Sequence, residues 1–198
     1  TSAGTSLSGR ENNVTGSNAA DGLSGNHNSV TGSDAGDSLS GLYNTVSGYN
    51  AGDSLTGNNN VVSGNSAATG LSGQANVVSG SNSGDGLLGS NNVAIGTMAN
   101  DGNQEVDSTV ALGHLTNVLH SNNVAIGSDS TDSLDATAAA AAFTSAIIGT
   151  GATAITITEG ATGNATSEFS IGGAGDKRLL TNVADGRIAA NSTDAING

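Results

Sequence analysis

Apolar residues in this chain come singly, at fixed distances, with polar residues between them. Leu7, Leu23, Leu39, Leu55, Leu71 and Leu87 are 16 residues apart. Val14, Val30, Val46, Val62 and Val78 keep the same step, and Ala94 continues their series. Two residues after each Leu, and two after each Val or Ala of that series, stands a Gly: Gly9 through Gly89 and Gly16 through Gly96. Asn12, Asn28, Asn44, Asn60, Asn76 and Asn92 hold a third fixed position. Strict repetition of this kind marks a stacked architecture, and the unit is too short for a pair of helices. The local order apolar–polar–Gly reads as a short strand entering a corner. β-Branched residues favour extended backbone, and Gly tolerates positive φ. The pattern therefore predicts an all-β, parallel β-solenoid with two short strands and two corners per coil. Coils would stack at ~4.8 Å, with Leu and Val columns filling a thin lumen and the Asn column forming a side-chain ladder. Ala19, Ala35, Ala51, Ala67 and Ala99 recur where a narrow lumen accepts little more.

Beyond Gly96 the period breaks but the grammar persists. Val110-Ala111-Leu112-Gly113 and Val124-Ala125-Ile126-Gly127 are 14 apart, and Ala146-Ile147-Ile148-Gly149 and Phe169-Ser170-Ile171-Gly172 follow at longer intervals. Each is expected to be a further coil. One interval contains Ser133 to Ala142 with five consecutive Ala, read equally as a loop packed on the coil or as a helical turn. Three regions follow: regular coils over 1–96, irregular coils with insertions over 97–172, and a distinct segment over 173–198.

Composition agrees with a narrow fold. The chain of 198 residues has 31 Gly, no Pro, no Cys, no Trp and 2% aromatic residues, too few large hydrophobes for an ordinary enzyme core. Without Cys there is neither a disulfide framework nor a thiolate metal site. The formal net charge is −13. All of it lies in residues 1–172, where 14 acids face only Arg10, while residues 173–198 balance three acids with Lys177, Arg178 and Arg187. Such acidity excludes nucleic acid as a partner. The longest uninterrupted apolar run, Ala138 to Phe143, is too short to span a bilayer. No basic stretch followed by an apolar segment opens the chain, so no signal peptide is expected. The chain begins inside a repeat, which points to a piece of something longer.

The candidate chemistry is sparse. Asp21, Asp37, Asp53, Asp85 and Asp101 form a column broken by Thr69. The Ca²⁺-binding β-roll repeat is missing, so these read as turn residues. His27, His114 and His120 have no metal-ligand spacing. No cofactor, metal site or catalytic function is expected. Tyr43 and Tyr49, the only tyrosines, are candidate ligand contacts or corner fillers. The Ser/Thr column Thr15, Thr31, Ser47, Ser63 and Ser79 could order water as an ice-binding solenoid does.

Asn92-Val93-Ala94-Ile95-Gly96 and Asn123-Val124-Ala125-Ile126-Gly127 resemble the head-repeat motif of YadA-like trimeric autotransporter adhesins. Gly175 to Ile188 and Asn191 to Gly198 resemble the neck that joins such heads to a coiled-coil stalk. The resemblance covers nearly the whole chain. Residues 1–89 depart from it, with Ser or Thr at the position of Ile95 and a 16-residue rather than 14-residue coil. It implies a left-handed parallel β-roll, an intertwined homotrimer, and a location on the Gram-negative cell surface. The outer-membrane anchor would lie beyond this chain. It also implies adhesion to host matrix proteins of the collagen, fibronectin or laminin class, to host cells, or to abiotic surfaces. The alternative class is an ice- or carbohydrate-binding solenoid, which needs no neck.

Alternation along each strand bears on assembly. Flanks of the central residue are polar in the first coils (Asn13 and Thr15, Ser29 and Thr31, Thr45 and Ser47) and become apolar later. Val93 and Ile95, Val110 and Leu112, and Val124 and Ile126 are expected to face the trimer axis while Ala94, Ala111 and Ala125 face the lumen. In the neck, Lys177, Arg178 and Arg187 are expected to meet Asp176, Asp185 and Asp194, partly between chains.

Overall fold

A computed structural model describes residues 2–102, 104–132, 145–148, 155–158, 167–173, 175 and 177–181. Among these residues there are strands and turns and no helix. Eleven strands occur: β1 (Asn13–Thr15), β2 (Ser29–Thr31), β3 (Thr45–Ser47), β4 (Val61–Ser63), β5 (Val77–Ser79), β6 (Val93–Ile95), β7 (Val110–Leu112), β8 (Val124–Ile126), β9 (Ser145–Ile148), β10 (Ile155–Thr158) and β11 (Phe169–Ser170). Strands β1 to β8 and then β11 form one parallel sheet in that order. Its register is the sequence repeat: Val14 pairs with Val30, Val30 with Val46, Val46 with Val62, and so on to Ala111 with Ala125. The chain is thus a parallel β-solenoid, and one turn of the coil is one repeat.

The second wall is thinner than the repeat suggests. Where a second strand is expected, each coil contributes a single bridged residue, in the series Ser8, Ser24, Ser40, Thr56, Ser72, Leu88, Glu105. A third line of inter-coil bonds runs through the Ala-rich corner, with Ala20 N–H to Ala35 O at 2.7 Å, Gly36 N–H to Ala51 O at 2.8 Å and Gly52 N–H to Ala67 O at 2.8 Å. Backbone pairing is therefore spread around the whole coil, corners included, as an isolated stack of thin coils requires.

The lumen is filled as the columns predict. Leu23, Leu39, Leu55, Leu71 and Leu87 are fully buried, and Val30, Val46, Val62 and Val78 nearly so. Ala19, Ala35, Ala51, Ala67 and Ala99 are fully buried too. Ser83 takes the same place in its coil, and its hydroxyl donates to Ala94 O at 3.0 Å or Ala99 O at 3.2 Å, so the substitution leaves no orphan group. The Asn column is a buried ladder. Asn44 Nδ2 donates to Asn28 Oδ1 at 3.1 Å, Asn60 Nδ2 to Asn44 Oδ1 at 3.0 Å, and Asn76 Nδ2 to Asn60 Oδ1 at 3.1 Å.

Two expectations need correction. Ala146-Ile147-Ile148-Gly149 is not a further coil. Its strand β9 pairs antiparallel with β10, Ile148 opposite Ile155 and Ala146 opposite Ile157, while β11 takes the next place in the parallel sheet beside β8. A four-residue apolar run satisfies an antiparallel pair as well as a coil. The corners also differ. Each coil turns on non-glycine as well as glycine residues in the left-handed region, including the column His27, Tyr43, Asn59 (φ 59°, 60°, 59°) and the column Asp34, Asn50, Ser66 (φ 53°, 50°, 49°). The two glycine series do have positive φ, but close approach is what constrains them. A Cβ on Gly25 would lie 1.8 Å from the carbonyl oxygen of Gly41 in the next coil. The Ser133–Ala142 alternatives fall outside the described residues.

Candidate functional site

The outward columns of the coils are the surface that the described residues offer to a partner. On the parallel sheet the central residues Ala94, Ala111 and Ala125 are fully buried. Their flanks point outward: Ile95 and Leu112 are exposed, and Val93, Val110, Val124 and Ile126 are half-buried. The expected in–out alternation therefore holds in the single chain. Continuing the Val93 column, Val61 and Val77 are exposed before it and Phe169 is 64% exposed after it, while the Ile95 column continues back into Ser79 and Ser63. One apolar stripe runs along the outer face from β4 to β11. The outward side chains of β1 to β3 at these columns, Asn13, Thr15, Ser29, Thr31, Thr45 and Ser47, are all polar. Extension of the stripe back to Val61 and on to Phe169 was not singled out from sequence, although the register makes both legible.

Tyr43 and Tyr49 sit on the two corners that flank β3, and they are 56% and 53% exposed. Tyr43 is one member of a short exposed ladder. Glu11 Oε2 lies 3.0 Å from His27 Nδ1, and the His27 ring stacks on Tyr43 with centroids 4.8 Å apart and planes parallel. That separation is the coil spacing itself, so the stack follows from Glu11, His27 and Tyr43 occupying one column. Sequence reading missed His27 here, although the spacing of 16 from Tyr43 carried the signal.

The Asp column is occupied by backbone. Asp37 Oδ1 accepts from the Asp21 N–H at 2.9 Å, and Asp85 Oδ1 from the Thr69 N–H at 2.9 Å. Thr5 Oγ1 donates to Asp21. Burial pushes the Asp37 carboxyl above its ordinary value of 3.8, opposed by that N–H and reinforced by Asp53, Asp21 and Asp34. Burial does the same to Asp85, with Thr69 N–H opposing and Asp101 reinforcing. A raised value means the folded chain holds the proton more tightly than the unfolded one. Stability is therefore lost as pH rises from about 3.8 through the folded values. Asp37→Asn keeps the acceptor and removes the charge. Thermal melts should show it more stable than the parent at neutral pH, with the difference vanishing in acid below that window.

Toward the end of the stack, Asp132 is buried and accepts four bonds. They come from Leu119 N–H at 2.6 Å, His120 N–H at 3.1 Å, Asn123 Nδ2 at 2.7 Å and the His120 ring, whose Nδ1 is at 3.0 Å. This grouping ties an irregular turn to the Asn ladder. Arg178 folds back on its own chain. Its guanidinium donates to Ile171 O at 2.6 Å, to Ser130 Oγ at 3.0 Å and to Ser128 O. Lys177 is exposed. Asp176, Asp185, Arg187 and Asp194 lie outside the described residues. An open pocket is lined, among the described residues, by Ile171, Gly172, Gly173, Lys177 and Arg178. No cluster of three metal-ligating side chains occurs among the described residues, and no helix among them is long and apolar enough to cross a membrane.

The fold places the chain among parallel β-solenoids. No protein-family model and no curated protein matches it.

Proposed function

We propose that this chain is the head, with neck, of a trimeric adhesin of the YadA-like type: a left-handed, intertwined homotrimer leading into a coiled-coil stalk. The proposed location is the Gram-negative cell surface, anchored in the outer membrane by regions beyond this chain. The observation that carries the reading is the outward apolar stripe. A single coil this thin buries little surface, and a row of exposed Val, Ile, Leu and Phe on a flat sheet face costs solubility unless another surface covers it. Three copies meeting on that face remove it from water. The same columns are polar in β1 to β3, so the tip would associate weakly and the β6 to β11 region strongly. The head would attach to matrix proteins of the collagen, fibronectin or laminin class, to host cells or to solid surfaces, with three copies adding avidity, and without catalysis.

Sedimentation should give three times the chain mass. Replacing Ile95 and Leu112 together with Glu should yield folded monomers, because both side chains point away from the lumen and their loss leaves the Leu and Val columns intact. A parent protein that sediments as a stable monomer would sink the reading. A panel of matrix proteins and abiotic surfaces then tests adhesion itself. The hydroxyl column Thr15, Thr31, Ser47, Ser63, in register and exposed, keeps an ice-binding reading in view. Thermal hysteresis without trimerisation would favour it.

A further inference from the structure

The corner column that begins with Glu11 has a single backbone requirement: every member lies in the left-handed region. Asn59, Asn91 and Asn122 meet it with a residue favoured among non-glycines in that conformation (φ 59°, 61°, 66°). Tyr43 adopts φ 60° in the same column, where a bulky side chain is unfavourable. Tyr43 keeps 56% of its surface exposed even with its ring stacked on His27. Strain retained at an exposed aromatic is a reason to look for a ligand. Leu42 beside it is exposed as well, and Tyr49, at the far end of β3, is half exposed and stacks on no other ring among the described residues. The surroundings are predominantly acidic, with Arg10, beside Glu11, the one Lys or Arg among them. Glu11, Asp21, Asp34, Asp37 and Asp53 lie in these coils, and between Arg10 and Lys177 there is no basic residue at all.

We propose that Glu11, His27, Leu42, Tyr43 and Tyr49 form a docking ledge for an extended cationic peptide segment bearing arginine. Charge complementarity selects a cation over an anionic partner. Ring faces select guanidinium over ammonium, because guanidinium is planar, weakly hydrated and stacks on aromatic rings while its edge pairs with carboxylate. Apolar area from Leu42 suits the stem of the same side chain. The ledge deepens the adhesion reading, on which it rests only for the partner being a protein.

Tyr43 and Tyr49 are the only tyrosines and there is no Trp, so tyrosine emission reports on this ledge alone. The full-length chain, in its native assembly, is titrated with hexa-arginine, hexalysine, hexaglutamate and a neutral chitin oligosaccharide. Hexa-arginine should change the emission saturably and bind about tenfold tighter than hexalysine, with no response to the other two. By calorimetry, Tyr43→Asn with Tyr49→Ser should weaken hexa-arginine about tenfold. Both replacements are residues that the same columns already use. Asp85→Asn with Asp101→Asn removes two charges farther along the stack and should change binding less than about twofold. Equal losses in the two double variants would reduce the effect to bulk charge and overturn the proposal. So would equal affinity for hexalysine, binding of the oligosaccharide instead, or tyrosines shielded from acrylamide in the assembled protein. Sedimentation and the matrix panel judge the adhesion reading separately.

Discussion

Gly57→Ala should abolish or nearly abolish folding of the stack, a loss of more than about 4 kcal/mol. An added Cβ would lie 1.7 Å from Gly73 O and 2.7 Å from Gly73 C, which are backbone atoms of the next coil. Those atoms cannot retreat. Gly57 N–H donates to Ser40 O at 2.8 Å and Gly73 N–H to Thr56 O at 2.9 Å, so both neighbours are pinned by the inter-coil bonds that hold them at the β spacing. Relief would require separating two coils, and the ladder, the sheet and the lumen all resist that together. Gly70→Ala separates sterics from conformation. Gly70 also has positive φ (72°) but nothing lies within 4 Å of an added Cβ, and Ser38 and Ser54 hold the same column at φ 57° and 58°. It should cost about 1 kcal/mol. Denaturant melts of the two variants give the comparison, and similar losses would refute the close-approach argument.

Asn60→Ala should cost about 3–5 kcal/mol, from orphaned groups rather than lost volume. Asn60 is fully buried. Its Nδ2 donates to Asn44 Oδ1 at 3.0 Å and to Gly73 O at 3.0 Å. Its Oδ1 accepts from Asn76 N–H at 3.0 Å and Asn76 Nδ2 at 3.1 Å. Truncation removes the acceptor of the buried Asn76 N–H and the side-chain donor to Gly73 O, where water cannot reach. Asn60→Thr should lose less, because the chain already contains that solution. Thr109 replaces Asn in its coil, donating from N–H at 3.0 Å and from Oγ1 at 2.8 Å to Asn92 Oδ1. Chemical denaturation would rank parent, Thr and Ala in that order. An Ala variant as stable as the Thr one would mean the ladder contributes little.

The legible part of this molecule was its columns. Leu23 and Val30 could be placed in the lumen because their equivalents recur every 16 residues, and a parallel stack gives every equivalent residue the same surroundings. The outward direction of Ile95 and Leu112 followed from alternation about Ala94 and Ala111. What escaped had no repeat behind it. Ala146-Ile147-Ile148-Gly149 has the composition of a coil, and only pairing shows that β9 joins β10. Asp132 draws donors from Leu119, His120 and Asn123 through an irregular turn, and Arg178 reaches Ser128 across 50 residues. The Tyr43 stack on His27 was in principle readable, since both stand in one column, but a contact between two unlike side chains leaves no periodic mark.

By itself, then, the sequence determined a parallel stack, its register, the contents of its lumen and the switch from polar to apolar on one outer face. Period and alternation dictate those directly, because each coil repeats the geometry of the one before. Tertiary structure alone decided which residues carry the left-handed corners, where the stack is interrupted by the β9–β10 pair, and how Asp132 and Arg178 bind the irregular end. Those depend on which atoms two adjoining coils bring within hydrogen-bond reach, a property of the fitted stack and not of any single repeat.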